Sequence, residues 1–570
     1  MCGIAGYLRL NAASPAVSQA QIQILRESIA ARGPDETMEC IDEHQGLFFS
    51  RLAITGSPGN ARQPFQDGKS FLLFNGEIYN YRELAVAELN MPLAADRCDG
   101  EVILPLFHRY GMAGTLSRLN GPFALAWFRP DGMMLARDSV GKKPLYYLCQ
   151  DETLFFSSDI TGLMKIKHEI DLDPYAVGDY FIFKSAGVKS SLINGISEVP
   201  PGYFLWVNHG RYQPELCRFF AETDVNPDSE ITPEELITSL NQSIQLRSVN
   251  DKPIASLLSG GLDSSIINYL LQQQEQTFRA YTIGSNDVDD PLDEIPLATE
   301  FAEDNRINHQ SLLLKTEAVP ELLEASVIAM EQPVQDPIIV NSLALARHIG
   351  REHRVLLTGD GADELWLGYD RFRTFAECGV EDYLQALSLF RPESLHLPDY
   401  HPEHYFGVSP YGRDLASLAE LERSIRFKNY HLTRMDRIFM KNGLETRSPF
   451  LDTNHIRLCA RLSATRKFFQ GKGKWALRLA FSGTLGQRIC FRKKQPFTFP
   501  LHYFRQPEFF DYFTSPLNDR QSIVHDYVDL SELTGKVSRG VGLNESDYHK
   551  IWSVKVFELW HRRVYRGCLS

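Results

Sequence analysis

The chain has 570 residues, 43% of them hydrophobic and 23% charged, with a formal net charge of −13. This length exceeds what one hydrophobic core serves and predicts two or three domains, while an acidic balance without a long basic block argues against a nucleic-acid partner. Nine scattered cysteines without a CxxC pair speak against a disulfide framework, and the text lacks both a signal-like start and an apolar run of membrane-spanning length, so a cytoplasmic protein without membrane insertion is expected.

In chain order, the first feature is Met1-Cys2-Gly3-Ile4-Ala5-Gly6. Removal of the initiator methionine would leave a cysteine whose thiol and α-amine belong to one residue, a nucleophile beside its own base. Amide hydrolysis is the chemistry this suits. A lone cysteine at position 2 also reads as an ordinary small buried residue, so partner motifs must decide. From Ile4 to about Trp206 short apolar runs recur between Gly, Asn and Pro: Phe71 to Phe74, Phe123 to Phe128, Met133 to Ala136, Leu145 to Leu148 and Leu154 to Ser157. They predict a strand-rich layer. Glu101 to Tyr110 puts Ile103, Leu106, Phe107 and Tyr110 on one helical face. Glu222 to Glu234 reads as a linker into a helix starting near Pro233. Beyond it the spacing predicts strands over Pro253 to Leu258, Phe278 to Ile283 and Arg354 to Thr358, separated by helices such as Ser265 to Gln274. This alternation predicts a parallel α/β sheet, followed after Ser417 by mostly helical text.

Arg32-Gly-Pro-Asp35, Arg51-Leu52 and Asn75-Gly-Glu-Ile-Tyr-Asn80 contain what a glutamine pocket needs. A guanidinium suits the α-carboxylate and an acid the α-ammonium, while the Asn75 amide and the Gly76 N–H suit an oxyanion. Taken alone, the Asn75 to Asn80 text reads more readily as a hairpin turn. Together with MCGIAGYL, RLAI, CDGEVI, LNGPFALAWF, ARDSVGKKPLYY and SSD, these segments resemble the glutaminase domain of class II glutamine amidotransferases, which are N-terminal-nucleophile hydrolases. The resemblance implies Cys2 as nucleophile, Asn75 and Gly76 as oxyanion hole, and Arg51, Asn75, Glu77 and Asp99 as glutamine-binding residues. One departure is Ala31, where the family often has His.

Ser259-Gly-Gly-Leu-Asp-Ser-Ser265 lies between an expected strand and an expected helix, the context in which a glycine-rich turn grips phosphate. Two other nucleotide-like strings fail: Gly68-Lys-Ser70 lacks the first glycine of a Walker A motif, because position 63 is Gln, and no strand precedes Gly471-x-Gly473-x-x-Ala476. Thr358-Gly-Asp-Gly-Ala-Asp-Glu364 adds carboxylates at a strand's C-terminal end, with Asp263 and Asp363 suited to hold Mg2+. The loop resembles that of the PP-loop ATP pyrophosphatases.

With Arg434-Met-Asp-Arg437, Gly443 to Asp452, Lys474-Trp-Ala-Leu-Arg478 and Arg492-Lys-Lys494, nearly the whole chain resembles the glutamine-hydrolysing asparagine synthetases. That resemblance implies an αββα glutaminase unit over 2–205, a linker over 206–232, and over 233–570 an adenylating α/β unit with a helical C-terminal part. It implies ATP contacts at Leu258, Ser259, Gly260, Gly261, Asp263, Ser264, Ile283 and Gly359, Lys474 as the cation on pyrophosphate, and Asp360 as acid/base where these synthetases usually carry Glu. ATP, Mg2+, glutamine and a carboxylate acceptor, aspartate first, are the implied cofactors and partners, and the family commonly forms homodimers. Another carboxylate, such as a sugar acid or a secondary-metabolite precursor, stays open as acceptor because Asp360 is one carbon short. Ring closure of the β-lactam synthetase kind and a glutamine or nucleotide sensor are further alternatives; both predict damage to one residue set, and none is seen.

Overall fold

A computed structural model describes residues 2–11, 13–54, 62–91, 98–209, 214–221, 231–249, 253–285, 293–493, 506–540 and 542–569. In chain order the first unit contains β1 (Gly3–Arg9), β2 (Glu36–Ile41), β3 (Gln45–Arg51), β4 (Phe65–Asp67), β5 (Ser70–Gly76), β6 (Phe123–Arg129), β7 (Gly132–Arg137), β8 (Tyr146–Gln150), β9 (Thr153–Ser157), β10 (Ile196–Glu198), β11 (Tyr203–Asn208) and β12 (Glu215–Arg218). They form two six-stranded sheets, ordered β10-β8-β9-β1-β3-β2 and β12-β11-β7-β6-β5-β4, with antiparallel neighbours.

Period-two alternation explains the stacking. In β1, Ile4 and Leu8 join Leu73, Ala124, Ala126 and Phe128 of the facing sheet, while Ala5 and Tyr7 pack with Ile22, Leu25 and Ile29 of the helix Gln19–Ala30. In β6 the other face, Phe123, Leu125 and Trp127, packs with Ile103, Leu106 and Phe107 of the helix Ile103–Leu116. The result is an αββα sandwich. It runs past residue 205: that position lies inside β11, and β12 adds an edge strand whose Cys217 packs beside Phe204. Residues 222–230 of the expected linker, and Lys494 of the Arg492-Lys-Lys494 match, lie outside the described residues.

The helix Pro233–Ser248 opens the second unit with a capping box, Thr232 and Glu235 exchanging hydrogen bonds around Pro233. Five parallel strands follow: β13 (Ile254–Leu257), β14 (Phe278–Ser285), β15 (His309–Leu314), β16 (Val355–Leu357) and β17 (Glu445–Arg447), in the order β15-β14-β13-β16-β17. The strand order reverses between β13 and β16. Their C-terminal ends therefore flank a crevice where an open parallel sheet takes its ligands. No helix among the described residues is long and apolar enough to cross a membrane.

The two units meet through buried charge. Asp436, 1% exposed, accepts from Arg32 at 2.6 Å and from Lys143 at 2.8 Å, both from the first unit. Lys428 of the second unit binds Glu198 of the first at 2.8 Å, and Asn120 donates to Asp452 at 2.8 Å. Although burial opposes ionisation, the Arg32 and Lys143 cations hold the Asp436 carboxyl well below its ordinary 3.8, and Arg137 and Lys428 hold Glu198 down at about 2. Because these folded-state values are depressed, the stabilisation is complete above the ordinary carboxylate range and is lost as pH falls through it. Asp436→Asn, which leaves two buried cations without their counter-charge, should cost about 3–5 kcal/mol and lower the thermal midpoint at neutral pH. Calorimetry across pH checks this: the gap between wild type and variant should narrow below pH 4, and a gap that is pH-independent would contradict the assignment.

Candidate functional site

Cys2 stands immediately before β1, at the edge of the inter-sheet core, and lines a cavity with Arg51, Gly76, Glu77 and Asp99. Asn75 lies just behind this cavity, fully buried at the end of β5. Its Oδ1 accepts from the Cys2 backbone N–H at 3.2 Å, and its Nδ2 is buried without a hydrogen-bond partner among the described residues. A buried amide donor left unsatisfied is costly, and here it sits beside a thiol. Gly76 follows because no side chain fits: a Cβ would come within 2.1 Å of the Pro122 carbonyl oxygen. The turn beyond it is held by Asp99, whose Oδ2 accepts from the Ile78 N–H at 2.6 Å.

Arg51, 3% exposed, pairs with Glu36 at 3.1 Å while facing the cavity. Burial raises the Glu77 and Asp99 carboxyls above the ordinary carboxylate range, with Glu445 adding to both. Two buried carboxyls of raised pKa favour an entering cation, such as an α-ammonium group, which would restore their charge. Burial also raises the Cys2 thiol, so a proton acceptor must assist its attack. The Glu77 carboxylate has a partner that its motif did not announce: Arg447 of β17 approaches it to 3.4 Å, while also binding Glu445 at 2.7 Å.

The second set converges on the crevice at β13 and β16. Leu258, Ser259, Gly261, Asp263, Ser264, Ile283, Gly359, Asp360, Asp363 and Lys474 all line one cavity of about 480 Å³. The helix Leu262–Gln273 begins at Gly261 without a side-chain cap, which leaves its N-terminal end suited to an anion. Gly260 is absent from the cavity wall; it has φ +68°, and a Cβ there would lie 2.9 Å from Leu297. It shapes the turn and does not face the ligand space. Ser264 Oγ ties the loop internally, accepting from Ser259 N at 3.1 Å, and the Leu258 N–H binds the Tyr281 carbonyl of β14 at 2.9 Å.

Lys474 sits between two carboxylates, 2.5 Å from Asp263 and 2.6 Å from Asp363, and is 4% exposed. Its backbone has φ +59°, and its N–H binds the Trp366 carbonyl at 2.7 Å. Gly473 permits that approach, since a Cβ would meet the Leu367 carbonyl oxygen at 1.8 Å. The Gly471-x-Gly473 string thus serves a tight turn that aims the lysine. No group of three or more potential ligands for a metal ion occurs among the described residues, so Asp263 and Asp363 supply two carboxylates at most. That donor set suits Mg2+ only in company with phosphate oxygens. Asp360, in the turn that follows β16, accepts from Thr358 Oγ1 at 2.6 Å.

Comparison with known proteins agrees with this division. Residues 235–562 match the asparagine synthase family model, and residues 1–219 match a glutamine amidotransferase domain model. Asparagine synthetase [glutamine-hydrolyzing] 1 of Bacillus subtilis (strain 168) is 25% identical, the alignment covering 98% of this chain and 96% of that one. A putative asparagine synthetase [glutamine-hydrolyzing] of Mycobacterium tuberculosis (strain ATCC 25618 / H37Rv) is 26% identical over 98% of this chain and 97% of its own. Asparagine synthetase [glutamine-hydrolyzing] 3 of Bacillus subtilis is 26% identical over 94% and 92%. With both models matched in one chain, the protein belongs to the asparagine synthase family and carries a glutamine amidotransferase domain at its N-terminal end.

Proposed function

We propose that the protein hydrolyses glutamine at Cys2 and uses the ammonia to amidate aspartate, activated as an acyl-adenylate by ATP, in the second cavity. The observation that carries this reading is the joint presence of both residue sets across one buried interface.

The Cys2 thiolate attacks the side-chain carbonyl of glutamine, and the resulting oxyanion lies toward Asn75 Nδ2 and the Gly76 N–H. Such donors contribute about 3 kcal/mol each. Collapse of the adduct expels ammonia and leaves a thioester, which water cleaves to glutamate. In the second cavity a carboxylate oxygen attacks the α-phosphorus and pyrophosphate departs, its charge met by Lys474 and by the N-terminus of the helix Leu262–Gln273. Asp263 and Asp363 would hold Mg2+, which supplies further neutralisation of the phosphates. Ammonia then displaces AMP, with Asp360 taking the proton. Lys143 and Arg447, which bond across the contact of the two units, are fully buried, which suits a route that keeps ammonia from bulk protons.

Aspartate is favoured as acceptor by the relatives' names and by the cavity wall, where Arg426 offers a cation to an acidic substrate while Arg434 is paired with Asp336. Purified protein with Mg-ATP and glutamine should release pyrophosphate in an aspartate-dependent manner, with asparagine formed in equal amount. Glutamate formation without aspartate-stimulated pyrophosphate would assign the second cavity to another carboxylate.

Cys2→Ala should abolish glutamine-dependent amidation while ammonium chloride still supports product. Failure with both nitrogen sources would separate Cys2 from the proposed role. Lys474→Met should slow pyrophosphate release by about a hundredfold or more at saturating ATP, leaving glutamate formation within about twofold of wild type. An unchanged pyrophosphate rate would contradict the role given to this lysine.

A further inference from the structure

Lys142 belongs to neither residue set, yet its amine starts a hydrogen-bonded chain that ends on Asp360. Lys142 Nζ donates to Ser448 Oγ at 2.9 Å, the Ser448 and Thr358 hydroxyl oxygens are 3.3 Å apart, and Thr358 Oγ1 donates to Asp360 Oδ2 at 2.6 Å. The direction of the middle bond follows by elimination. Thr358 has one hydroxyl proton and spends it on the carboxylate, so Ser448, already accepting from the lysine, must donate to Thr358. Every proton in the chain points from the first unit toward Asp360.

The loop that carries the lysine is built to hold it. Asp138, fully buried, accepts from the N–H groups of Phe123, Val140, Lys142 and Lys143, at 3.2, 3.1, 3.0 and 3.0 Å. Gly141 has φ +70°, and a Cβ there would meet Pro201 at 2.7 Å. The two lysines then diverge. Lys143 is neutralised by Asp436 at 2.8 Å, whereas no ion pair is formed by Lys142 among the described residues, although it is 4% exposed. Burying an amine against a neutral hydroxyl is unfavourable, and an apolar side chain would fill the space at less cost. Burial and the Lys143 charge, with Arg247 adding, draw its pKa down to about 7 against the opposing pull of Asp360 and Glu445.

We propose that Lys142 is a positioning residue for amide formation: through Ser448 and Thr358 it fixes the Asp360 carboxylate by Oδ2 and leaves Oδ1 toward the incoming ammonia. The first unit thereby completes the amidation step and not the adenylation step. This rests on the reading that the second cavity amidates an acyl-adenylate. In that step the nitrogen lone pair forms the C–N bond, the acyl C–O bond to phosphate breaks with its electrons leaving on AMP, and one N–H proton passes to Asp360.

The test uses the full chain as K142M, S448A and the double variant, measuring glutamate from glutamine, aspartate-dependent pyrophosphate released in the first turnover, which precedes amidation, and amide formed from ammonium chloride in steady state. Each single variant should lower kcat for ammonia-dependent amidation about tenfold or more, with KM for ammonia, glutaminase and the rate of first-turnover pyrophosphate release within about twofold of wild type. The double variant should be no slower than the slower single, since both break one chain. Multiplying losses overturn the proposal, as does an equal loss of first-turnover pyrophosphate release, which marks a structural role. Loss of glutamine-dependent product alone also overturns it and makes Lys142 a wall of the ammonia route. A wild type that forms no amide overturns the reading of the cavity and the proposal with it.

Discussion

Asp436 places one negative charge between two buried cations from the other unit, Arg32 and Lys143, and the arrangement of both cavities depends on it. Arg32 also donates to the Cys2 carbonyl at 3.4 Å, so the charge that docks the units also reaches the backbone of the candidate nucleophile. Lys143 adjoins Lys142, whose amine enters the second unit. Buried ion pairs contribute less to net stability than to specifying one arrangement, because desolvation consumes most of the Coulombic gain. In this interface that arrangement is what both centres require.

The three-residue strand β17 is the other shared part. Arg447 approaches Glu77 of the first cavity, and the next residue, Ser448, bonds Lys142 and Thr358 beside the second. A shift of β17 along the sheet would therefore be felt at both places. It is held at the sheet edge by pairing with β16, and Arg447 is fastened further by donating to the Arg247 and Val249 carbonyls at 2.8 and 3.1 Å.

Much of the sandwich was legible because its strands alternate or run apolar over several residues, as in β5, β6 and β7, and the turn after β13 announced itself by its glycines. β15 escaped because it is an edge strand with a polar, half-exposed start, and β17 because Glu445-Thr446-Arg447 is charged, although it is fully buried. Periodicity cannot signal a strand whose burial is compensated by ion pairs. The cavity residues were recognisable as text, but their partners were not. That Lys474 lies between Asp263 and Asp363, or that Glu77 meets Arg447, joins positions far apart in sequence whose only local signal is charge in otherwise apolar surroundings. Asn75 was expected as a donor, and that its buried Nδ2 has no hydrogen-bond partner among the described residues is seen only in three dimensions.

The central claim is that nitrogen released at Cys2 is used in the second cavity without mixing with solvent. The most direct measurement supplies glutamine labelled with 15N in its side-chain amide, together with excess unlabelled ammonium, Mg-ATP and aspartate, and weighs the amide product by mass spectrometry. The account predicts product enriched in 15N well beyond the bulk ratio. Product carrying nitrogen at the bulk ratio would show that the two cavities act separately and would contradict it.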